Sequence, residues 1–326
     1  MRNRTLSIAA LLVAAAGLTA CQAPAGTVDG CTPSLLPGAA TSQVDVSGDA
    51  GSAPEVEFPR PLVADEAQAS MTGGSGDRAE RGAIVDADYV VYSGKTGTMI
   101  STSHEGAATM QASSGLRLTA GTGSVLGEAV ECAAEGTRVV LATTIGDLFG
   151  PTAASEQLDV TPTDTAIVVL DVTDVHPGRA EGTPRPGQQG MPAIALDGDG
   201  RPGVTFPAGP APEELRTMVS IEGTGDPVAE GDRLLLHYTG IVWETQEVFD
   251  SSWESGAPAE FTIDDASLIP GFVDAVVGQP IGSQVVVSIP QELGYDDPAT
   301  RPASIGEGEH LLFVIDILDR VEPAAQ

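Results

Sequence analysis

The sequence predicts an α+β fold in which an antiparallel sheet curves over one short helix, and it predicts two copies of that unit. Residues Arg233–Asp250 combine an aliphatic and aromatic run with a Thr-Gly turn, the pattern of a core strand followed by a second short strand. Within Ile269–Val276 the apolar residues recur at i, i+3, i+4 and i+7, which indicates a helix with one buried face. Two further strands are predicted at Ser283–Ile289 and Leu311–Leu318, so this half supplies both sheet and helix.

The first half of the chain repeats motifs of the second half. Tyr92–Gly94 aligns with Tyr238–Gly240, and Gly136–Leu141 aligns with Gly282–Val287, both at a separation of 146 residues. Such self-similarity predicts two copies of one fold.

The two copies differ where a binding pocket would form. Ile100-Ser101 takes the place of Phe249-Asp250, and the aliphatic Leu126 takes the place of Phe272. A sheet and a helix tolerate these changes, but an aromatic pocket does not. We therefore expect the first copy to be a degenerate, structural or interaction domain.

Composition shifts along the chain predict its organisation. Residues rich in Gly, Ala, Ser, Thr and Pro follow the N-terminal segment, and a Pro/Gly-rich stretch separates the two copies. The predicted parts are a signal segment at 1–20, a flexible tether at 21–53, the degenerate domain at 54–176, a Pro/Gly linker at 177–201 and the second domain at 202–322.

The charge balance excludes one class of partner. The 326 residues contain 15 Lys and Arg against 46 Asp and Glu, a net charge of -31. An acidic surface repels phosphate backbones, so we expect no nucleic acid partner. Dispersed acidic charge is also what keeps an exported protein soluble.

The N-terminal segment indicates export and lipid attachment. A basic start at Arg2 and Arg4 precedes an apolar stretch that is too short to span a bilayer. The following Leu18–Cys21 resembles the lipobox of bacterial lipoproteins, which implies an acyl chain on Cys21 as the membrane anchor and an extracytoplasmic location. An ordinary secretory peptide cleaved nearby is the alternative.

Two cysteines remain once Cys21 carries lipid. An exported protein sits where thiols oxidise, so Cys31 and Cys132 are predicted to form a disulfide between the tether and the first domain. A buried free Cys132 is the alternative that the sequence leaves open.

Several motifs of the second half occur in an order that carries a family resemblance. They are HYTG at 237–240, VFDSSW at 248–253, SLIPGF at 267–272, LGYDD at 293–297 and HLLFVIDIL at 310–318. The segment from about Gly203 to Val321 resembles an FKBP-type peptidyl-prolyl cis-trans isomerase. The resemblance implies prolyl isomerisation in an apolar pocket, with neither cofactor nor metal.

The resemblance also implies the residues of the site. It assigns catalytic roles to six side chains: Tyr238, Phe249, Asp250, Phe272, Tyr295 and Phe313. It assigns substrate binding to three more: Leu268, Ile269 and Ile305. Phe272 would be the floor under the proline ring, the N–H of Ile269 would hold a substrate carbonyl, and Asp250 and the Tyr295 hydroxyl would orient the peptide. Ala259 stands where many relatives carry an aromatic residue, which implies a shallower pocket.

The chemistry suits such a site. The obstacle to X-Pro rotation is amide resonance, a barrier of roughly 18–20 kcal/mol, and the twisted amide is less polar than the planar one. A dry, aromatic-lined pocket therefore favours the twisted state. The sequence contains no nucleophile elbow, no P-loop and no cysteine pair at zinc-ligand spacing.

The resemblance implies proline-containing polypeptides of exported proteins as partners of a monomeric enzyme. The alternative function is a non-catalytic, peptide-binding or chaperone-like envelope lipoprotein. Taken singly, Phe272 and Phe313 are better explained as core residues, and it is their occurrence together with Tyr238, Ile269 and Tyr295 in family order that favours a pocket. Trp243 and Trp253 are expected either at the rim of the pocket or in local packing, and His237 is expected to be solvated or packed on the sheet.

Overall fold

The computed structural model describes residues 30–49, 52–104 and 115–321. Antiparallel strands dominate these residues, and the few helices are short. The prediction of antiparallel sheets with little helix is therefore confirmed. The signal peptide, Cys21 and the first residues of the predicted tether lie outside the described residues.

The first large sheet follows a small hairpin. The hairpin pairs β1 (Asp45–Ser47) with β2 (Glu55–Glu57). The sheet contains β3 (Gln68–Gly73), β4 (Ile84–Ser93), β5 (Met99–Thr102), β6 (Leu116–Thr119), β7 (Thr137–Thr144) and β8 (Thr165–His176). Its order is β3-β7-β8-β4-β5, with β6 also paired to β4. Two helices accompany it, α1 (Val125–Val130) and α2 (Ile145–Phe149).

The second large sheet has the same strand arrangement with one additional edge strand. The elements in chain order are β9 (Thr183–Pro184), the hairpin β10 (Ala193–Leu196) and β11 (Pro202–Thr205), β12 (Arg216–Glu222), β13 (Arg233–Val242), β14 (Val248–Ser251), α3 (Ser252–Ser255), β15 (Ala259–Thr262), α4 (Pro270–Val276), β16 (Gln284–Ile289) and β17 (Leu311–Arg320). The order is β14-β13-β17-β16-β12-β9, with β15 also paired to β13.

Helix α4 packs against β16 on the concave side of the second sheet. Pro270 occupies the first turn, where the missing N–H leaves no hydrogen bond unmade. A Cβ on Gly271 would lie 2.5 Å from Cγ2 of Ile289, so glycine lets the helix approach the strand closely. Phe272 and Val276 are buried there among the aliphatic residues of β13, β16 and β17.

The convex side of each sheet is covered by the chain segment that precedes that sheet. Residues 30–49 and 52–64, here called the first strap, bury Ala40 and Leu62 against Ile167 of β8. Residues 177–211, the second strap, bury Met191 against the second sheet, and Phe206 packs edge-on against Trp243.

The straps correct two predictions. The flexible tether predicted at 21–53 is wrong for residues 30–49, which carry β1 and a 3₁₀ turn at Thr41–Gln43. The linker predicted at 177–201 is also wrong, because β9 pairs with β12 and Glu181 N–H donates to Gly282 O at 2.9 Å. The second strap is rich in Gly and Pro, and in both straps apolar side chains cover sheet faces that would otherwise meet water.

The strand registers correct the alignment of the two halves. A bulge falls between Val91 and Tyr92 in the β4–β5 pair and between Gly240 and Ile241 in the β13–β14 pair. Tyr89, and not Tyr92, therefore corresponds to Tyr238. Tyr92 points to the opposite face, because three residues along a strand reverse the side chain.

None of the described helices is long and apolar enough to cross a membrane. Within residues 30–49, 52–104 and 115–321, no three His, Cys, Asp or Glu side chains are arranged to hold a metal ion.

Candidate active site

Four aromatic rings meet on the concave side of the second sheet. The ring of Phe313 on β17 lies 5.4 Å from Phe272 and 5.5 Å from Phe249, edge to face in both cases, and 6.4 Å from Tyr238. Such edge-to-face pairs hold rings in fixed relative orientations. The cluster therefore forms a rigid apolar surface at the end of α4.

The structure brings all nine predicted pocket residues to this one place. Phe272, Phe313 and Ile305 are buried, whereas the others are half-buried against the same core and Asp250 is exposed. The half-buried members are Tyr238, Phe249, Leu268, Ile269 and Tyr295. Buried floor residues with half-buried walls are what an open apolar hollow requires.

A single carboxylate marks the edge of the hollow. The Tyr238 hydroxyl donates to Oδ2 of Asp250 at 2.6 Å. Burial and this hydrogen bond raise the pKa of Tyr238, and burial and the charge of Asp250 also raise the pKa of Tyr295. Both phenols are therefore neutral hydrogen-bond donors at physiological pH.

Gly240 explains why Phe249 can reach the cluster. A Cβ on Gly240 would lie 2.5 Å from Cζ of Phe249, so any larger residue would displace that ring. The β13–β14 register places Gly240 directly opposite Asp250. The glycine of the HYTG motif thus creates the space in which Phe249 packs across β13.

Phe261 is a pocket residue that the sequence reasoning missed. It lies on β15, 5.7 Å from the ring of Tyr238 and 6.4 Å from the ring of Phe272. It is two residues beyond Ala259 and so faces the same side of its strand. The alternation along β15 was the signal that could have identified Phe261 beside the small Ala259.

The backbone N–H of Ile269 is available to a ligand. Ile269 is the residue before α4, and no acceptor for its N–H is present among the described parts of the chain. Its carbonyl already accepts from Phe272 N at 3.0 Å and Val273 N at 3.3 Å, so the residue is held in place while its donor stays free.

His237 and the two tryptophans lie outside the hollow. Trp243 is buried against the second strap, which makes it a packing residue. His237 is buried and stacks on Trp253 with ring centroids 3.9 Å apart and planes 17° apart. Burial lowers the pKa of His237 to about 4, so its ring is neutral near pH 7.

The disulfide and a polar cleft beside it lie away from the aromatic site. Cys31 and Cys132 form a disulfide that ties the first strap to the end of α1. A cleft of about 890 Å³ opens beside Cys31 and is lined mainly by polar residues, among them Arg78, Glu131 and Arg179. None of its described lining residues is Phe, Tyr or Trp, so it does not suit a proline ring.

The arrangement defines a class of protein that binds an apolar ring and an adjacent amide without a reactive nucleophile. The hollow offers aromatic walls, two neutral phenols, one carboxylate and one free backbone donor. These groups bind and orient a peptide.

Comparison with known proteins agrees with that class. Residues 225–318 match the family described as FKBP-type peptidyl-prolyl cis-trans isomerase. The FK506-binding protein of Streptomyces anulatus is 34% identical over 118 residues, which cover 36% of this chain and 95% of that protein. The probable FK506-binding protein of Corynebacterium glutamicum is 34% identical over 119 residues, 36% of this chain and 97% of that protein. Outer membrane protein MIP of Legionella longbeachae is 33% identical over 107 residues, 33% of this chain and 44% of that protein.

The chain therefore belongs to the FKBP-type peptidyl-prolyl cis-trans isomerases, and it is an enzyme of that type.

Proposed function

We propose that residues 202–322 isomerise X-Pro bonds of exported polypeptides in the hollow above Phe272. The observation that supports this proposal is the convergence of the aromatic rings on Phe313, with the hydrogen-bonded pair of Tyr238 and Asp250 at their edge. The rings supply the apolar environment, and the polar groups fix the peptide.

The pocket acts by preferring the twisted amide. The proline ring rests on Phe272 between Phe249 and Phe313, and this contact excludes water from the rotating bond. The free N–H of Ile269 donates to a substrate carbonyl and holds one side of the peptide while the other side turns. Because the twisted amide is less polar, it loses less hydration free energy than the planar amide on entering the hollow. The hollow therefore binds the transition state better than the ground state.

The experiment uses the full chain and a short X-Pro peptide. Phe272→Ala removes the floor, and we expect kcat/KM to fall by at least tenfold, about 1.4 kcal/mol of transition-state stabilisation. Asp250→Ala should lower it by a similar factor. Leu126→Ala, at the corresponding position of the first sheet, is the matched control and should change kcat/KM by less than twofold. Full activity in Phe272→Ala would reject the proposal.

The first sheet supports a non-catalytic role in this proposal. The Tyr89 hydroxyl lies 3.1 Å from Oγ of Ser101, which matches the Tyr238–Asp250 pair in position but carries no charge. Ile100 and Leu126 replace two of the aromatic rings. A domain with this geometry and no aromatic floor is a structural or peptide-binding copy, 54–176, of the isomerase unit.

The N-terminal sequence supports the proposal of an extracytoplasmic enzyme. Cys21 of the lipobox-like Leu18–Cys21 carries the acyl anchor in our proposal, and the enzyme works there as a monomer on exported, proline-containing chains. Radiolabelled palmitate should enter the parent protein and not Cys21→Ala. Equal labelling of both proteins would refute the anchor and leave the isomerase proposal unaffected.

A further inference from the structure

A stacked pair of rings, one buried and one half-buried, lies next to the wall of the hollow. The rings of His237 on β13 and Trp253 on α3 are parallel within 17° at 3.9 Å. His237 precedes the wall residue Tyr238, and Trp253 follows Asp250 by three residues. The stack therefore joins the two segments that carry the polar edge of the pocket.

Ser252 connects this stack to the backbone of Tyr238. Its Oγ accepts from the Tyr238 N–H at 2.9 Å and lies 2.8 Å from Nδ1 of His237. The Ser252 hydroxyl has one donor and two acceptor lone pairs, so it can bond the Tyr238 N–H and Nδ1 of His237 at the same time. The serine therefore links the backbone of β13 to the imidazole.

The first sheet provides an internal comparison. Tyr89 N–H donates to Oγ of Ser103 at 2.9 Å, so the serine is retained there. The residues on either side of this contact differ. Asp88, which accepts from Ser103 at 2.8 Å, stands where the second sheet has His237, and His104 stands where it has Trp253. The stacked pair is thus confined to the copy that has an aromatic pocket.

We propose that His237 and Trp253 are positioning residues for the isomerase reaction. They hold Ser252 against β13 and thereby fix the distance between the Tyr238 hydroxyl and Asp250 at the pocket edge. The inference rests on the proposed function of this hollow.

Helix α3 has only four residues, and its preceding Ser251 makes no side-chain cap. The strand before it, which carries Asp250, is held by backbone pairing with β13 and by Oγ of Ser251, which lies 3.1 Å from Oγ1 of Thr239. On α3 itself, the pair Arg201–Glu254 at 3.3 Å is exposed, and a surface ion pair of that kind contributes little. The ring stack is therefore an aromatic contact that adds to the backbone pairing between β13 and the α3 segment.

The test measures kcat and KM of full-length variants with an X-Pro peptide. Trp253→Ala should lower kcat about fivefold to tenfold and change KM by less than twofold, because the apolar walls that bind proline remain. Trp253→Phe keeps a stacked ring and should recover to within twofold of the parent. His237→Asn combined with Trp253→Ala should be no worse than Trp253→Ala alone, since both act through Ser252.

Three controls separate the possible outcomes. His104→Ala, the matched position of the first sheet, should leave kcat and KM unchanged. Trp253→Leu keeps apolar volume without a ring, so it tests the stack if Trp253→Ala does not fold. Parent kcat in Trp253→Leu, or no recovery in Trp253→Phe, overturns this inference. Parent activity in Phe272→Ala instead overturns the function of the hollow itself, so the two failures are distinguishable.

Discussion

Asp316 is a buried carboxylate whose role depends on its two partners. It lies on the convex face of β17, is 1% exposed, and accepts from Ala180 N–H at 2.9 Å and from Nε2 of Gln284 at 2.7 Å. In the first sheet the corresponding Asp171 instead forms an ion pair with Arg138 at 2.6 Å. The second sheet thus holds its strap with a carboxylate that has no cation as direct partner.

This difference predicts a pH dependence of stability. Burial raises the pKa of Asp316 to about 6, above its value in the unfolded chain. A raised pKa in the folded state means that folding favours the protonated carboxyl of Asp316. The stabilisation from this protonated group is present below about pH 4 and is lost as the pH rises through 6. Asn does not titrate, so Asp316→Asn does not lose this stability as the pH rises. We expect the variant to gain on the parent by about 2–3 kcal/mol between pH 4 and pH 7.

Urea unfolding at a series of pH values measures this gain. Asp264→Asn is a suitable control, because Asp264 is a half-buried turn residue that accepts from Ala266 and Ser267 N–H outside this cluster. A constant difference between Asp316→Asn and the parent from pH 4 to pH 7 would contradict the expectation.

At the residue scale, the sequence predicts those candidate site residues that belong to motifs occurring in a fixed order. Tyr238, Asp250 and Phe272 follow from motifs whose order carries the information. Phe261 did not follow, because its role depends on which face of β15 meets Tyr238. Tyr92 was aligned with Tyr238 because the triplets Tyr-Ser-Gly and Tyr-Thr-Gly agree at their first and last residues, whereas the bulge that sets the register lies in the partner strand.

At the element scale, the strands were predictable and the straps were not. The runs AIVVLDV of β8 and LLFVIDIL of β17 are apolar on both faces, which indicates strands buried on both sides. A strand that is apolar on both faces implies that another part of the chain packs on the convex face of each sheet. The covering segments gave no periodic signal, since each contributes single apolar residues such as Leu62 and Met191 from Gly- and Pro-rich sequence.

The disulfide is the covalent link of the first strap. It joins Cys31 to Cys132 across 101 residues, and Cys132 is fully buried. A cross-link over a loop of this length restricts the unfolded chain, and its removal costs about 2–5 kcal/mol. We expect Cys31→Ser with Cys132→Ser to lower the free energy of unfolding by that amount and to leave kcat/KM within twofold, because the hollow lies on the other sheet.

Denaturant unfolding with and without dithiothreitol checks this expectation. Reductant should destabilise the parent and have no effect on the double variant, which serves as its own control. If reductant left the parent unchanged, the bridge would not contribute to stability in solution.

At the scale of the whole molecule, the two sheets meet through apolar and charged contacts. Ile84 of β4 packs with Leu235, Leu318 and Val321 of the second sheet. Beside them, Arg117 of β6 binds Glu260 of β15 at 3.2 Å. The same β15 carries Phe261, so the first sheet contacts the strand that forms one wall of the hollow.

His176 is the buried cation of this junction. It is 2% exposed at the end of β8, and its Nδ1 lies 2.9 Å from Asp319 of β17. Its Nε2 faces Asp86 of β4 at 3.5 Å and Asp174 of β8 at 3.9 Å, and Arg117 shares Asp86 from the far side. Three carboxylates from two sheets therefore surround one imidazole.

That environment predicts a loss of stability in mildly alkaline solution. Burial alone would lower the pKa of His176, but the hydrogen bond to Asp319 and the nearby carboxylates of Asp86 and Asp174 outweigh it and raise the pKa to about 9. Because this pKa exceeds that of a histidine in the unfolded chain, the stabilisation from protonated His176 is fully present below pH 6.5. It disappears as the pH rises through 9. His176→Gln should be less stable than the parent at pH 6 and should approach it at pH 9.5. Urea midpoints at both values measure the effect, and His104→Gln, outside the junction, should follow the parent throughout. If the difference between His176→Gln and the parent stayed constant across this range, the imidazole would not be holding the sheets together as a cation.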